Sequence, residues 1–204
     1  LTNLYAYVHD VNAWVDPWGL IKYIVYQAPE LDATGNPTGK IYELKNLVDF
    51  CKSNNIFLLI DETFIDFCYN DIYSLKRYIS SYDNLIIINA ITKFFAMTGA
   101  RLGYCFCSSF EFNKLLNLIK KPWTVNILAE SIAFELSKID RNFYESTKKY
   151  YTSETERLYN KYILLNDLEI SRTNTCFLCI KFYNISVEKL QFDLLENKIG
   201  AFFN

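Results

Sequence analysis

Residues 32–42 read DATGNPTGKIY, and the role given to the turn Gly35–Gly39 decides what fold is built after it. In one reading Asn36 belongs to a loop that holds a cofactor at the edge of a sheet. In the other the same letters are a surface turn, of the kind that glycine, proline and asparagine form in many unrelated proteins. The residues on both sides bear on the choice.

Downstream, helix and strand patterns alternate. IYELKNLVDFC (41–51) places Leu44, Leu47, Val48 and Cys51 on one helical face, and the polar pair Asn54-Asn55 ends that helix. IFLLI (56–60) reads as a strand buried on both sides. A helix with Ile72, Leu75 and Ile79 on one face follows, then the strands LIIIN (85–89) and LGYCFC (102–107). Phe112, Leu115, Leu116 and Ile119 mark a further amphipathic helix. Beyond Pro122 a helix starts near Asn126, and a long polar-aromatic helix covers roughly Asp140 to Tyr162. The tail returns to strand in TCFLCIKFY (175–183) and to helix in SVEKLQFDLLENK (186–198), with Ser186 as its N-cap. Helices alternating with doubly apolar strands predict an α/β fold whose sheet is covered on both faces, and the tail reads as the start of a second, smaller α/β unit. Residues 1–35 lack this grammar. They are rich in Tyr, Trp, Asp and Pro, and IKYIVYQ (21–27) is the one strand candidate among them.

The 204 residues suffice for one large domain or a domain and a half, and 51% hydrophobic with 17% aromatic residues excludes a disordered chain. A net charge of −2 with scattered basic residues argues against a nucleic-acid partner, which requires a concentrated basic face. The apolar runs are strand-length, too short to span a bilayer. The chain begins with Leu and shows no signal peptide, so it is expected to be an internal piece of a longer protein. Cys105 and Cys107 lie in one strand-like segment and Cys176 and Cys179 in another, where alternation points the latter two to opposite faces. With His9 as the sole histidine, no closed Cys/His quartet forms and no metal is expected. Buried reduced thiols in a cytoplasmic protein are the expectation.

Three features carry chemistry. In LLIDETFIDF (58–67), Asp61 closes a buried strand at its carboxyl end, where open α/β sheets place ligands. In ITKFFAMTGARLGY (91–104), Lys93 and Arg101 lie in the loop after the next strand. The third is the NPTG turn with Asn36. Acid, amine and guanidinium at one sheet edge suit an anionic cofactor with a protonated ring and an electrophilic carbon. The bland alternatives are an aspartate that only caps neighbouring backbone and an ordinary loop lysine.

In this order and spacing, with PWTVN at 122–126, these motifs resemble the fold-type-I aminotransferases that use pyridoxal 5′-phosphate. The closest likeness is to the histidinol-phosphate aminotransferase and threonine-phosphate decarboxylase branch, the latter tied to cobalamin biosynthesis. It covers about residues 36–204. It implies part of a three-layer α/β/α large domain with a mostly parallel sheet (36–150) and the start of the small C-terminal α/β domain (151–204). It implies that Lys93 forms the imine with the cofactor aldehyde and moves the proton at the substrate α-carbon. Asp61 would pair with the ring nitrogen, Asn36 would donate to the ring 3′-oxygen, and Arg101 would clamp the phosphate. A unit-charge pair at 4 Å is worth about 4 kcal/mol at an effective dielectric of 20, enough to hold the ring protonated. Phe64 stands where many aminotransferases have a tyrosine, Ala90 where a phosphate-binding serine is common, and Thr92 keeps a hydroxyl beside the lysine. Phe64 and PWTVN lean toward the decarboxylase branch. The substrate implied is a small, phosphorylated amino acid, the reaction transamination or α-decarboxylation, and the partner a second copy in a homodimer.

The family's phosphate-binding N-terminal part and its carboxylate-binding arginine are not found in these residues. Instead NLYAYVHDVNAWVDPWGL (3–20) resembles the closing motif of Rhs-repeat core proteins, and IKYIVYQAPELDATG (21–35) resembles segments that follow that motif. The expected organisation is therefore an Rhs-core-like segment (1–35) joined to an aminotransferase slice at a shared GNPTGK-like sequence. The alternative function is a noncatalytic C-terminal tip of an Rhs-type secreted protein.

Overall fold

The computed structural model describes residues 2–6, 23–27 and 40–198. The NPTG turn, Asn36, His9, the VDPWGL motif and the expected junction lie outside the described residues.

The central sheet has five strands in the order β1 (Thr2–Ala6), β5 (Leu102–Cys107), β4 (Leu85–Ala90), β3 (Phe57–Asp61), β2 (Tyr23–Gln27). β2, β3 and β4 are mutually parallel, with Gln27 beside Asp61 and Asp61 beside Ile88. β5 runs antiparallel to β4, and β1 antiparallel to β5, so four of the five strands point the same way. The lead segment thus contributes both sheet edges, and β1 is a strand that the sequence pattern does not announce. Its short tyrosine-bearing stretch lacks the apolar alternation by which strands are recognised.

α1 (Lys45–Ser53) buries Val48 and Cys51 against Leu58, Ile60, Leu85 and Ile87, with Leu44 and Leu47 packed alongside. It stops where expected: Asn55 takes a left-handed φ of 55°, a conformation asparagine tolerates well. β4 is apolar on both faces and buried on both, whereas β3 is not. Leu58 and Ile60 are buried while Phe57 and Leu59 on the opposite face are only half-covered, which corrects the expectation of full burial for this run.

The helix expected around Ile72, Leu75 and Ile79 is replaced by 3₁₀ turns at Asp71–Tyr73 and Lys76–Tyr78. Polar side chains interrupt it. Asn70 accepts from the Ile72 N–H, and the buried Glu62 carboxylate takes the Leu75 N–H at 2.7 Å and the Ser74 hydroxyl at 2.9 Å. Leu75 still reaches the core, but Ile72 faces solvent.

The remaining helices begin at capping side chains, with the last three starting where the sequence pattern puts them. Ser109 caps α3 (Phe110–Ile119), Asn126 caps α4 (Ile127–Leu136), Asp140 caps α5 (Arg141–Tyr162) and Ser186 caps α6 (Val187–Glu196), each accepting a backbone N–H. Only Leu116 of the apolar face of α3 is buried; Leu115 and Ile119 are exposed. β6 (Leu168–Ser171) and β7 (Cys179–Phe182) form a separate antiparallel pair, so that only part of the stretch 175–183 is strand. Cys176 precedes β7 in a bend, so strand alternation does not orient it against Cys179. Among the described residues, no helix is long and apolar enough to cross a membrane.

The broken helix gives a direct test. Leu75→Ala is expected to destabilise by about 2–5 kcal/mol, as buried leucine truncations do. Ile72→Ala should stay within about 0.5 kcal/mol, as at other exposed positions. Equal losses in urea unfolding would restore the continuous helix.

Candidate functional site

β3, β4 and β5 bring the chemical residues to one edge of the sheet. Asp61 is the last residue of β3. Lys93 lies three residues beyond the carboxyl end of β4, in the one-turn helix α2 (Ile91–Phe94), and Arg101 immediately precedes β5. Because β5 is antiparallel to β4, its beginning lies beside β4's end, with Ala90 opposite Gly103. The three residues therefore share an edge as a consequence of topology.

Asp61 and Glu62 show how strand alternation divides two adjacent acids. Glu62 is 1% exposed and turned into the protein, where its two oxygens are satisfied by Leu75 and Ser74. Burial pushes its carboxyl above the ordinary glutamate range, opposed by the Leu75 N–H. Asp61 is half-buried at the edge, and its Oδ1 accepts from the Thr63 N–H at 2.9 Å and from the Thr63 hydroxyl. Part of its role is thus the backbone cap that the bland alternative foresaw. Among the described residues no lysine or arginine forms an ion pair with it.

The Lys93 side chain is exposed, and its amine stands 5.6 Å from the centroid of the Phe64 ring, a cation–π contact across the β3–β4 edge. Thr92 is buried beneath it. Arg101 is exposed and left-handed, with φ 52° and ψ 42°, and Ala96 in the same loop has φ 54°. Each such non-glycine residue costs about 1–2 kcal/mol, and such conformations concentrate at ligand sites. Below the edge, the fully buried Asn89 accepts from the Ala90 N–H at 2.7 Å and donates to Asp66 at 3.3 Å; Asp66 in turn pairs with Lys76 at 3.4 Å.

Two groups were not placed at this edge by the sequence reading. Phe177, from the β6–β7 connection, meets the Phe64 ring edge-on at 5.4 Å between centroids, and Cys176 lies within electrostatic reach of Lys93. Both sit in TCFLCIKFY, where strand periodicity masks a bend. Residues 61, 93 and 101, expected to face one cofactor, line neither of two concavities found among the described residues. One is an aromatic groove walled by Phe94, Phe95, Phe143 and Tyr150; the other is a polar cleft around Glu156, Tyr159 and Arg172. Asn36, expected to complete this edge, lies outside the described residues.

The fold and this donor set define a class. The aminotransferase class I and II family model matches residues 31–200, and the chain belongs to that family. It is 30% identical over 203 residues to the threonine-phosphate decarboxylase of Salmonella typhimurium, covering 93% of this chain and 55% of that one. It is 28% identical over 176 residues to the histidinol-phosphate aminotransferase of a Thermoanaerobacter species, covering 85% and 48%. The crystal structure of the histidinol-phosphate aminotransferase from Clostridium acetobutylicum superposes with a TM-score of 0.77 at 27% identity, covering 87% of this chain and 53% of that one. The chain therefore spans about half the length of the relatives it matches.

The raised Glu62 carboxyl has a definite consequence for stability. The folded state holds this proton more tightly than the unfolded chain, so the contribution is complete below about pH 4.5 and is lost as pH rises through the raised value. Glu62→Gln removes that titration. Its stability relative to the parent should climb across this window and then level off in urea unfolding measured from pH 4 upward. A flat difference would show that Glu62 is not buried as a titrating acid.

Proposed function

We propose that this chain is the cofactor-bearing portion of a pyridoxal-5′-phosphate-dependent enzyme acting on a small phosphorylated amino acid, by transamination or α-decarboxylation. One observation carries the reading: a carboxylate at the carboxyl end of β3 and an amine just beyond the carboxyl end of the adjacent β4, with a guanidinium opening β5. The donor set fits the group, since an acid, a nucleophilic amine and a phosphate-matching cation are what its three reactive parts require. When bound, pyridoxal phosphate supplies an aldehyde on a protonated pyridine ring that accepts the electron pair left at the α-carbon of an amino acid.

Each residue then has a role. Asp61, steadied by Thr63, presents a carboxylate to the ring nitrogen and favours its protonated form. Lys93 would hold the cofactor through its amine and would carry the proton to and from the substrate α-carbon. Arg101 would grip the phosphate, Thr92 stands beside the lysine, and Asn36 would donate to the ring 3′-oxygen. Phe64 supplies a flat wall with no hydroxyl, which removes one donor to that oxygen and keeps the lean toward decarboxylation. The reading includes a cytoplasmic setting, in keeping with six free cysteines.

A second copy of the chain is part of this proposal. Trp123 is 95% exposed, and Leu118, Ile127 and Leu128 are each more than 70% exposed on neighbouring parts of the α3–α4 region. A large apolar face of this kind marks an association surface. Sedimentation should show a dimer that Leu128→Glu converts to monomer; a monomeric parent would remove this element.

Pyridoxal phosphate with borohydride reduction tests the site. The expected outcome is one pyridoxyl group per chain, found on Lys93 by peptide mapping and abolished in Lys93→Ala. Asp61→Asn should weaken binding at least tenfold, since it removes an ionic contact of several kcal/mol. Labelling spread over many lysines, undiminished in Lys93→Ala, would sink the assignment.

A further inference from the structure

Two thiols with no part in the proposed chemistry meet where the β6–β7 connection lies on the turn after β3. Cys68 is 2% exposed, and its Sγ donates to the Asn174 carbonyl at 3.1 Å. Cys176, two residues further on and half-buried, is near enough for its charge to be felt at Cys68. Phe177 then packs edge-on against Phe64 at 5.4 Å, the ring that also faces the Lys93 amine. The stretch 174–177 is thus held on the 64–68 turn by a hydrogen bond at one end and a ring contact at the other, with a cysteine on each side of the seam. The other cysteines are poorer mates. Cys51 lies in the core under α1, and Cys105 and Cys107 both sit in β5. Cys179 opens β7, where it is paired with Ser171.

We propose that Cys68 and Cys176 form a reversible disulfide, made by a disulfide oxidant such as glutathione disulfide, that straps the 174–177 connection onto the wall of the Lys93 edge. The more accessible Cys176 thiolate attacks glutathione disulfide, forming a mixed disulfide and releasing one glutathione thiolate. The Cys68 thiolate then attacks the Cys176 sulfur and expels the second glutathione. Two protein thiols are oxidised, one glutathione disulfide is reduced to two glutathiones, and the released thiolates take up the protons. A disulfide requires Cα atoms within about 7 Å, a separation that the Cys68–Asn174 hydrogen bond and a two-residue step bring within reach.

Burial pushes the Cys68 thiol up to about 12 and the Cys176 thiol up to about 11, with Lys148 and Lys93 pulling the other way. Exchange proceeds through the thiolate, so bridging is slow near neutrality and accelerates with pH.

The test is peptide mapping of the full chain after incubation with glutathione disulfide and alkylation of the remaining thiols. Expected are a Cys68–Cys176 linked peptide, its reversal by dithiothreitol, and a formation rate rising about tenfold per pH unit between about pH 7.5 and 9.5. Cys68→Ser and Cys176→Ser should abolish the bridge, and Cys179→Ser should leave it unchanged. A Cys176–Cys179 linkage, or stable glutathione adducts with no internal bridge, would overturn the proposal. The crosslink is read without any cofactor, so its failure and the failure of the Lys93 assignment are separate results.

Discussion

Placing a carboxylate out of water costs several kcal/mol unless its oxygens find donors, and Glu62 finds both of its donors in one short stretch of backbone and side chain. That requirement shapes everything around the site. The chain leaving β3 must return so that Ser74 and Leu75 can reach the acid, which forbids a regular helix over residues 72–79 and seats Leu75 in the core. With Glu62 fixed inward, alternation turns Asp61 toward the edge. The Glu62 N–H also donates to the Ile88 carbonyl at 2.8 Å, joining the end of β3 to β4 just before the loop that carries Lys93. A buried acid therefore fixes the direction in which its neighbour Asp61 points.

The other side of the edge is fixed by aromatic packing and by α5. Phe94, the residue after Lys93, stacks on Tyr144 of α5 at 5.2 Å and meets Phe67 at the same distance. Phe67 in turn meets Tyr151, further along α5. Lys148, between these positions and 8% exposed, pairs with Asp71 at 2.9 Å. The long helix is therefore tied both to the turn after β3 and to the turn bearing Lys93. Its polar-aromatic composition, puzzling for a helix meant to cover a core, follows from these contacts, with rings to meet the loops and one buried lysine to hold the turn.

Much of this was readable in the chain. Ser186 announces its helix, and the helices starting at Asn126 and Asp140 begin where the pattern puts them, because capping is a local interaction between a side chain and backbone three residues on. The paired acids at the end of an apolar run and the lysine loop after the next run are equally local signals. What stayed hidden depends on distant partners. Ile72, Leu75 and Ile79 have helical spacing, and what disrupts it includes Glu62, more than ten residues from Leu75 in sequence. Phe177 looks like part of a strand until its contact with Phe64 is seen. β1 owes its place to β5, about a hundred residues later. The apolar spacing of α3 is genuine too, yet Leu115 and Ile119 remain uncovered, because periodicity identifies a face without identifying what it packs against.

The half-length match to full aminotransferases poses the question of how Asp61, Lys93 and Arg101 come to share one end of the sheet here. The answer lies in the sequence distance over which it is built. Asp61, Lys93 and Arg101 fall within forty-one residues of one another, on three strands that are neighbours in the sheet. Their alignment needs only β3, β4 and β5 with the Glu62 and Asn89 contacts that join them, all inside the same segment. What lies against this edge comes from other parts: the β6–β7 connection brings Phe177 onto Phe64, from more than seventy residues later in the chain. Placement of these three residues and the packing of distant segments over them are thus separable properties of the fold. The first is encoded within one contiguous segment; the second depends on how well distant segments dock against it.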